Sequence, residues 1–252
     1  MPLYEKLLKI KEEKGAGFLL LLDPDRVERE QLTAAAQMAQ TYGVDAILAG
    51  SSLVTGENFD SRMADIKQVT KLPVLLFPGS SGQVSKHADG ILFLSLISGR
   101  NPTYLIEEQV KGAPLIKAFG LEPIPTGYML IESGAMTSVQ YVSGTFPIPR
   151  GKNDIAMAHA LAANYMGMKF VYLEAGSGAD MPVPEEMVKA VSEYCGLPVI
   201  VGGGIRTPEQ AASLVNAGAS FIVIGTRLEN EDDFGFMSEM ADSIHSIAKT
   251  VI

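Results

Sequence analysis

The sequence has one cysteine, three histidines and no tryptophan, and it has fewer basic residues than acidic ones, 20 against 29. Because Cys195 stands alone, an internal disulfide is excluded, which fits a reducing cytoplasm. The three histidines form no cluster along the chain, so no zinc site is predicted. The net charge of -9 argues against a nucleic-acid partner, because binding to a phosphate backbone relies on lysine and arginine patches.

Long apolar runs and several familiar motifs are also missing. No apolar stretch approaches the roughly 20 residues of a membrane-spanning helix. The first 15 residues form a charged amphipathic segment and not a signal peptide. We therefore expect a cytoplasmic protein. The sequence has no G-x-S-x-G, no Walker A motif and no G-x-G-x-x-G opening a first βα unit.

The sequence does contain a regular alternation of strand-like and helix-like segments. Its strand-like segments are continuous apolar runs, which are typical of parallel strands covered on both faces. Eight strands are predicted, at residues 18–22, 46–49, 74–77, 91–94, 128–131, 170–173, 199–201 and 221–224. Eight strands in 252 residues predict an α/β fold, specifically a single-domain (β/α)₈ TIM barrel over residues 1–252.

Two connections in this predicted barrel have unusual lengths. Only residues 79–90 separate the third and fourth strands, so the third helix must be shortened or replaced. Residues 144–153 after the fifth strand contain two prolines and two basic residues. Because long irregular loops often carry function, this segment is predicted to be an active-site loop.

Glycines follow the seventh and eighth predicted strands. Gly203 and Gly204 end one apolar run, and Gly225 and Thr226 end the next. Glycine lets backbone N–H groups approach an anion closely, and the loops after strands 7 and 8 form the phosphate site of many (β/α)₈ barrels. The pattern therefore predicts a phosphate site, and two tight turns without a ligand remain the alternative.

Carboxylates and hydroxyls follow the first two strands. Asp23 and Asp25 come directly after strand 1, and Mg²⁺ prefers one or two carboxylates together with phosphate oxygens. Asp23 is therefore predicted to bind Mg²⁺, with Ser52 after strand 2 as a candidate second ligand. The alternative for these residues is a role in helix caps and turns.

The sixth strand ends in a tyrosine and a glutamate. Alternate residues share one face of a strand, so Tyr172 and Glu174 are expected to point the same way. At the barrel mouth, Glu174 could take a proton from a substrate hydroxyl, and the following Gly-Ser-Gly would add anion donors. A buried glutamate needs a partner, so a salt bridge to lysine or arginine is the alternative.

Taken together, these segments resemble a known family. The resemblance rests on Asp23-Pro24-Asp25, Ala49-Gly50-Ser51-Ser52, Ser95-Leu96-Ile97-Ser98-Gly99-Arg100-Asn101-Pro102, Pro125-Thr126-Gly127-Tyr128, Tyr172-Leu173-Glu174-Ala175-Gly176-Ser177-Gly178, Val201-Gly202-Gly203-Gly204-Ile205 and Ile224-Gly225-Thr226. They resemble the geranylgeranylglyceryl phosphate synthase family, which includes the bacterial heptaprenylglyceryl phosphate synthases. The family's modified barrel agrees with the short third connection.

The resemblance implies an ether-forming prenyltransferase of membrane phospholipid biosynthesis. Such an enzyme transfers a polyprenyl group, expected here to be geranylgeranyl, from its diphosphate to the 3-hydroxyl of sn-glycerol 1-phosphate. The products are geranylgeranylglyceryl phosphate and diphosphate, and the implied cofactor is Mg²⁺. The resemblance also implies a homo-oligomer, either a dimer or a larger assembly such as a hexamer. An apolar product implies at most transient, peripheral membrane contact.

The resemblance also assigns residues by position. Asp23 and Ser52 match the family's Mg²⁺ residues, Glu174 becomes the general base, and Tyr172 is expected to stabilise positive charge on the prenyl carbon. The glycerol phosphate site matches Tyr172, Leu173, Glu174, Ala175, Gly176, Ser177, Gly178, Gly203, Gly204, Gly225 and Thr226. One position departs, because Leu21 stands where many relatives have a lysine. Candidates for the apolar groove are Phe93, Leu96, Tyr104, Phe119 and Tyr128, which core packing explains equally well.

Two other classes of function remain open from the residues alone. One is another barrel enzyme with the same phosphate loops, such as an isomerase, an aldolase or a flavin-dependent oxidoreductase. Isomerases and aldolases usually need a strand-end lysine or an acid–base pair, and strands 6 to 8 offer only Glu174. The other is a barrel that binds a phosphorylated metabolite without turnover.

Overall fold

Eight parallel strands close into a barrel in which each strand pairs with the next along the chain and the last pairs with the first. The computed structural model describes residues 1–53, 56, 58–225 and 233–245. The strands are β1 (Gly17–Leu22), β2 (Ala46–Ala49), β3 (Val74–Leu76), β4 (Gly90–Leu96), β5 (Glu122–Leu130), β6 (Phe170–Glu174), β7 (Val199–Gly202) and β8 (Phe221–Ile224). The predicted (β/α)₈ barrel is confirmed.

Helices surround the barrel and close its amino-terminal end. They are α1 (Leu3–Lys14), α2 (Arg29–Ala39), α3 (Phe59–Val69), α4 (Glu108–Phe119), α5 (Ser138–Ser143), α6 (Asn153–Tyr165), α7 (Glu185–Cys195), α8 (Pro208–Asn216) and α9 (Asp233–His245). A π-helical turn, Thr103–Glu107, leads into α4. Within the described part of the chain, no helix combines the length and the apolar character needed to cross a membrane.

The continuous apolar strands bury two sets of side chains. Phe18, Leu20 and Leu22 of β1 pack into the layer between the strands and the helices. Leu19, from the same strand, points into the barrel interior, where Leu3 and Leu7 of α1 also pack. Because both faces of each strand are covered, the alternation of polar and apolar residues found in half-exposed sheets is absent.

A single 3₁₀ turn, Ser81–Gln83, is the only helical element between β3 and β4. The prediction of a shortened or replaced third helix is therefore confirmed. Gln83 in this turn is buried and bonds to the loop after β2. The turn thus stands where a full helix connects most other neighbouring strands.

The structure differs from the sequence-based elements around β5. The strand begins at Glu122, six residues before the predicted start. Prolines usually argue against a strand, but the carbonyl of Pro125 accepts a bond from the N–H of Lys169 at 2.7 Å. The short helix α5 was not predicted, and it precedes the irregular segment expected to form an active-site loop.

A buried ionic cluster joins both ends of the described chain at the amino-terminal end of the barrel. The carboxylate of Asp45 lies 2.5 Å from Nζ of Lys14 and 2.9 Å from Nε2 of His245, and it accepts the N–H of Phe18 at 2.8 Å. Burial alone would raise the pKa of Asp45, but these hydrogen bonds outweigh it and hold the pKa below the usual 3.8. Asp45 therefore fastens α1 and α9 to the barrel.

We expect Asp45→Asn to lower the free energy of unfolding at pH 7 by about 2 kcal/mol, because charged hydrogen bonds are lost. The pKa of Asp45 is lower in the folded state, so its stabilisation is present above pH 4 and is lost as the pH falls through the folded value. Urea unfolding of the wild type and of Asp45→Asn, at pH 7 and in the acid range, measures this difference in the free energy of unfolding.

Glu13→Gln is the control for this measurement. Glu13 pairs with Lys9 on the surface of α1 and both side chains are more than half exposed, so the substitution should leave unfolding almost unchanged. Equal unfolding curves for wild type and Asp45→Asn at pH 7 would contradict a fastening role for Asp45.

Candidate active site

A cavity of about 410 Å³ opens at the carboxyl ends of the strands. One end of it, the glycine end, is lined by Glu174, Ser177, Gly178, Gly203, Gly204 and Gly225. The other end, the apolar arm, is lined by Val84, Phe93, Leu96, Tyr104, Gly112, Ile116, Val139 and Val142. Asp23 and Ser52 lie on the wall as well. Active sites of (β/α)₈ barrels lie at this end of the strands.

The backbone of the glycine end has a shape that only glycine can adopt. Gly203 has a φ of +85° and Gly204 a φ of +70°. A Cβ atom on Gly203 would come within 2.5 Å of Oε1 of Glu174, and one on Gly204 within 2.7 Å of the Met181 carbonyl. The chain can therefore pass directly against Glu174 and present bare backbone to the cavity.

Glu174 is the last residue of β6 and is only 5 % exposed. Burial raises its pKa from the usual 4.5 to about 7. Three neighbouring groups lower the pKa of Glu174, but by less than burial raises it. The N–H of Gly176 donates to Oε1 at 2.6 Å, and the hydroxyls of Tyr172 and Tyr128 lie close to the carboxylate. Among the described residues, no lysine or arginine forms a salt bridge with Glu174. The carboxylate is therefore poised to exchange a proton near neutral pH.

Aromatic rings pack together beside this carboxylate. The ring of Tyr172 stacks on Phe77 with centroids 5.2 Å apart, and Tyr128 lies 5.3 Å from Tyr172. Burial, with a further contribution from Glu174, raises the pKa of both tyrosines well above 10, so both stay neutral. The buried hydroxyl of Tyr172 lies beside the carboxylate of Glu174 but forms no well-aligned hydrogen bond with any described residue.

Asp23 and Ser52 come from neighbouring strand ends, after β1 and β2. Oδ1 of Asp23 accepts the N–H of Asp25 at 3.0 Å, and Oδ2 lies 3.4 Å from Nε of Arg26. The described residues contain no group of three or more histidine, cysteine or acidic side chains that could hold a metal alone. One carboxylate and one hydroxyl fit Mg²⁺ only when a substrate supplies further oxygens, which is how Mg²⁺ is commonly bound.

The remaining predicted site residues occupy several environments. Leu173 and Ala175 are buried in the layer between strands and helices and do not line the cavity. Gly176 directs its N–H at Glu174. Thr226 lies outside the described residues. Ser177, Gly178 and Gly225 do line the cavity, so the structure brings most of the predicted glycerol phosphate residues to one place.

Four of the five side chains predicted for the apolar groove line the cavity, namely Phe93, Leu96, Tyr104 and Tyr128. Phe119 does not line it and is 39 % exposed. The predicted loop at 144–153 contributes no residue to the lining of the cavity. In this region of the chain the lining residues belong to α5, which lies just before the loop.

Sequence reasoning missed several residues of the wall. Arg26 and Arg206 line the cavity, as do Gly79, Ser80 and Ser81 after β3. Arg26 directly follows the Asp-Pro-Asp segment, and the Pro-Gly-Ser-Ser segment after β3 is a turn signal at a strand end. Neither signal indicates by itself that the side chain or backbone concerned faces the cavity.

The fold and the site define a (β/α)₈ barrel with a ligand cavity at the carboxyl ends of its strands, the arrangement of barrel enzymes. The PcrB family model matches residues 8–249. The chain therefore belongs to the PcrB family.

Known relatives agree with this assignment. A geranylgeranylglyceryl phosphate synthase from Chitinophaga pinensis is 44% identical over 246 residues, covering 98% of this chain and 97% of that protein. A protein of the same name from Thermococcus gammatolerans is 50% identical over 88% of this chain and 86% of its own length. The predicted family resemblance is confirmed.

A solved structure also matches the whole barrel. It is (S)-3-O-geranylgeranylglyceryl phosphate synthase from Thermoplasma acidophilum in complex with sn-glycerol-1-phosphate. The two chains are 36% identical, the TM-score is 0.92, and the match covers 98% of this chain and 99% of that one.

Glu174→Gln should make the protein more stable above neutral pH. Because the pKa of Glu174 is raised to about 7 in the fold, the folded state holds a proton that the unfolded state releases near 4.5. The free energy of unfolding of the wild type therefore falls between these two pH values and then levels off. The variant lacks this fall and should be more stable at pH 8 by roughly 3 kcal/mol.

Urea unfolding between pH 5 and pH 8 measures this difference. Glu193→Gln, an exposed change on α7, is the control and should follow the wild type. A pH dependence in Glu174→Gln as steep as that of the wild type would rule out the raised pKa.

Proposed function

We propose that this chain is a prenyltransferase that joins the polyprenyl group of a polyprenyl diphosphate to the 3-hydroxyl of sn-glycerol 1-phosphate. One observation carries the proposal: a single cavity combines bare glycine backbone, a buried carboxylate with a pKa of about 7 and a long apolar arm. A phosphorylated polyol fits the first end and an apolar tail fits the second. The names of the relatives and the bound molecule of the Thermoplasma acidophilum structure support the same reaction.

The acceptor belongs at the glycine end. Backbone N–H groups of Gly203, Gly204 and Gly225, together with Ser177, would bind its phosphate, since small rigid loops of this kind suit anions. The glycerol hydroxyls would then face Glu174. Its pKa of about 7 suits a general base working near neutral pH.

The donor belongs in the apolar arm, with its diphosphate towards Asp23 and Ser52. These two residues would hold Mg²⁺, which when bound neutralises the charge that grows on the leaving diphosphate. Leu21 lines the cavity at the position where the family resemblance implies a lysine in many members. Arg26, which lies beside Asp23 on the same wall, is the basic side chain best placed to contact the diphosphate instead.

The reaction exchanges one carbon–oxygen bond for another. The bond between the first prenyl carbon and the diphosphate oxygen breaks, and the bond between that carbon and the 3-oxygen of glycerol forms. Diphosphate leaves with the bonding electrons, and the hydroxyl proton passes to Glu174. Positive charge that develops on the allylic carbon would face the neutral rings of Tyr172 and Tyr128, which attract cations through their faces.

The assembly and location belong to the same proposal. We expect a homo-oligomer, either a dimer or a larger assembly such as a hexamer, as the family resemblance implies. Tyr141 and Phe146, which expose 78% and 90% of their surface near α5, are candidate contact residues. We also expect a cytoplasmic protein that touches membranes only transiently and at their surface.

The first experiment incubates the purified protein with sn-glycerol 1-phosphate, Mg²⁺ and a series of polyprenyl diphosphates, and detects products by mass spectrometry. We expect an ether product, with the preferred donor identifying the chain length. The product should disappear with EDTA and in Asp23→Ala. Gly151→Ala, a change at an exposed position with free space around it, should retain full activity.

The mirror-image acceptor, sn-glycerol 3-phosphate, is the matched control for specificity. If no donor yields a product although sn-glycerol 1-phosphate binds saturably, the chain is not this transferase. Activity that survives EDTA would exclude a need for Mg²⁺ while leaving the transfer itself intact.

Glu174→Gln should lower kcat by about 10²- to 10⁴-fold, the usual contribution of a general base. The wild type should lose kcat/KM as the pH falls through about 7, because protonated Glu174 accepts no proton. The variant should lack this limb of the profile. Since the acceptor phosphate titrates identically in both assays, a limb near pH 7 in both proteins would assign it to the substrate and not to Glu174.

A further inference from the structure

The 3₁₀ turn between β3 and β4 holds the loop after β2 through one side chain. Gln83 is 2 % exposed, and its amide makes two hydrogen bonds to the same residue. Its Nε2 donates to the carbonyl of Ser51 at 2.7 Å, and its Oε1 accepts the N–H of Ser51 at 3.0 Å. Gln83 therefore mimics the hydrogen bonding of a neighbouring strand, just where the sheet of β2 has ended.

The two loops joined by Gln83 touch through bare backbone. A Cβ atom on Gly79 would collide with the carbonyl of Ser51 and come within 2.9 Å of that of Ser52. A Cβ atom on Gly50 would collide with the carbonyl of Phe77. Because no side chain separates these segments, the position of Ser52 depends on how closely the loops are held together.

The same turn also contacts the helix that lines the apolar arm. The N–H of Ser81 donates to Oε2 of Glu108 in α4 at 2.5 Å, and Oε1 of Glu108 lies 2.8 Å from Nζ of Lys111. Gly112 and Ile116 of that helix line the arm. The turn that stands in place of the third helix is thus fixed to the wall of the arm on one side and to the Ser51–Ser52 backbone on the other.

An apolar residue at position 83 would leave both hydrogen-bonding groups of Ser51 without their partner. Ser51 is itself buried, and a buried polar group that loses its partner costs about 1–3 kcal/mol. The loop would relax this cost by moving towards water. Such a movement would displace Ser52 and leave the glycine end, which is built on β6, β7 and β8, untouched.

We propose that Gln83 is a positioning residue for the donor half of the site. It holds the Ser51–Ser52 backbone in the place where the diphosphate of an allylic donor is bound. This inference rests on the proposed function, since it assigns the diphosphate to this side of the cavity. Gln83 itself does not line the cavity, so it acts through Ser51 and Ser52.

Gln83→Met keeps the length of the side chain and removes both hydrogen bonds. We expect the KM for the prenyl diphosphate to rise about tenfold and the KM for sn-glycerol 1-phosphate to stay within about twofold. Calorimetry without turnover should show the same split. The Kd of inorganic diphosphate with Mg²⁺ should rise about tenfold, which corresponds to about 1.4 kcal/mol, and the Kd of sn-glycerol 1-phosphate should not change.

Two further variants complete the test. Gln83→Glu retains an oxygen that accepts the N–H of Ser51, and in its protonated form, which burial favours, it also has a hydroxyl that can donate to the carbonyl of Ser51. In the acid range its Kd for diphosphate should therefore lie between those of the wild type and Gln83→Met. Gln83→Glu also gives the comparison if Gln83→Met fails to fold. Gln37→Met, on the exposed face of α2, makes the same chemical change away from the site and should match the wild type.

Three results would overturn the inference. They are an equal loss of affinity for both ligands, unchanged affinity for both, and, in the acid range, a Gln83→Glu variant as weak as Gln83→Met. The proposed function fails in a different way, when the wild type makes no ether from any donor. In that case the Kd values of inorganic diphosphate and of sn-glycerol 1-phosphate still test the role of Gln83, because calorimetry measures them without turnover.

Discussion

The burial of one carboxylate, that of Glu174, sets the conditions for the rest of the active site. An ionised carboxylate away from water needs donors close by, and here the backbone N–H of Gly176 supplies one at 2.6 Å. The chain of Gly203 can pass against the carboxylate only because it has no Cβ. The same burial that keeps Glu174 half-protonated near neutral pH also lowers the free energy of unfolding. The raised pKa that suits proton transfer therefore reduces the stability of the fold.

The closed barrel explains how residues far apart in the chain meet around that carboxylate. Parallel strands all end at the same rim, so the loops after β1, β2 and β3 and those after β6, β7 and β8 border one mouth. Strand alternation turns Tyr172 and Glu174 inwards while Leu173 packs under the helices. Two chemically different halves result, a polar one built on glycine backbone and an apolar one bordered by α4 and α5.

Local patterns made the barrel and the glycine loops predictable from the sequence. Continuous apolar runs, strand-end glycines and the short 79–90 connection each depend on neighbouring residues only. Residues whose roles come from distant partners were not predictable. Gln83 has no sequence signal, because its function lies in two bonds to Ser51, 32 residues away. The pKa of Glu174 likewise depends on burial by separate strands, and the salt bridge that remained an alternative did not form among the described residues.

The missing third helix has a consequence for how such a protein can diversify. Most neighbouring strands are joined through a helix whose packing must be preserved. The connection that joins β3 to β4 has only three helical residues. Changes there and along α4 alter the dimensions of the apolar arm without touching β6 to β8. Substitutions at well-separated sites combine almost additively. The architecture therefore lets the apolar arm change in size while the glycine end of the cavity keeps its shape.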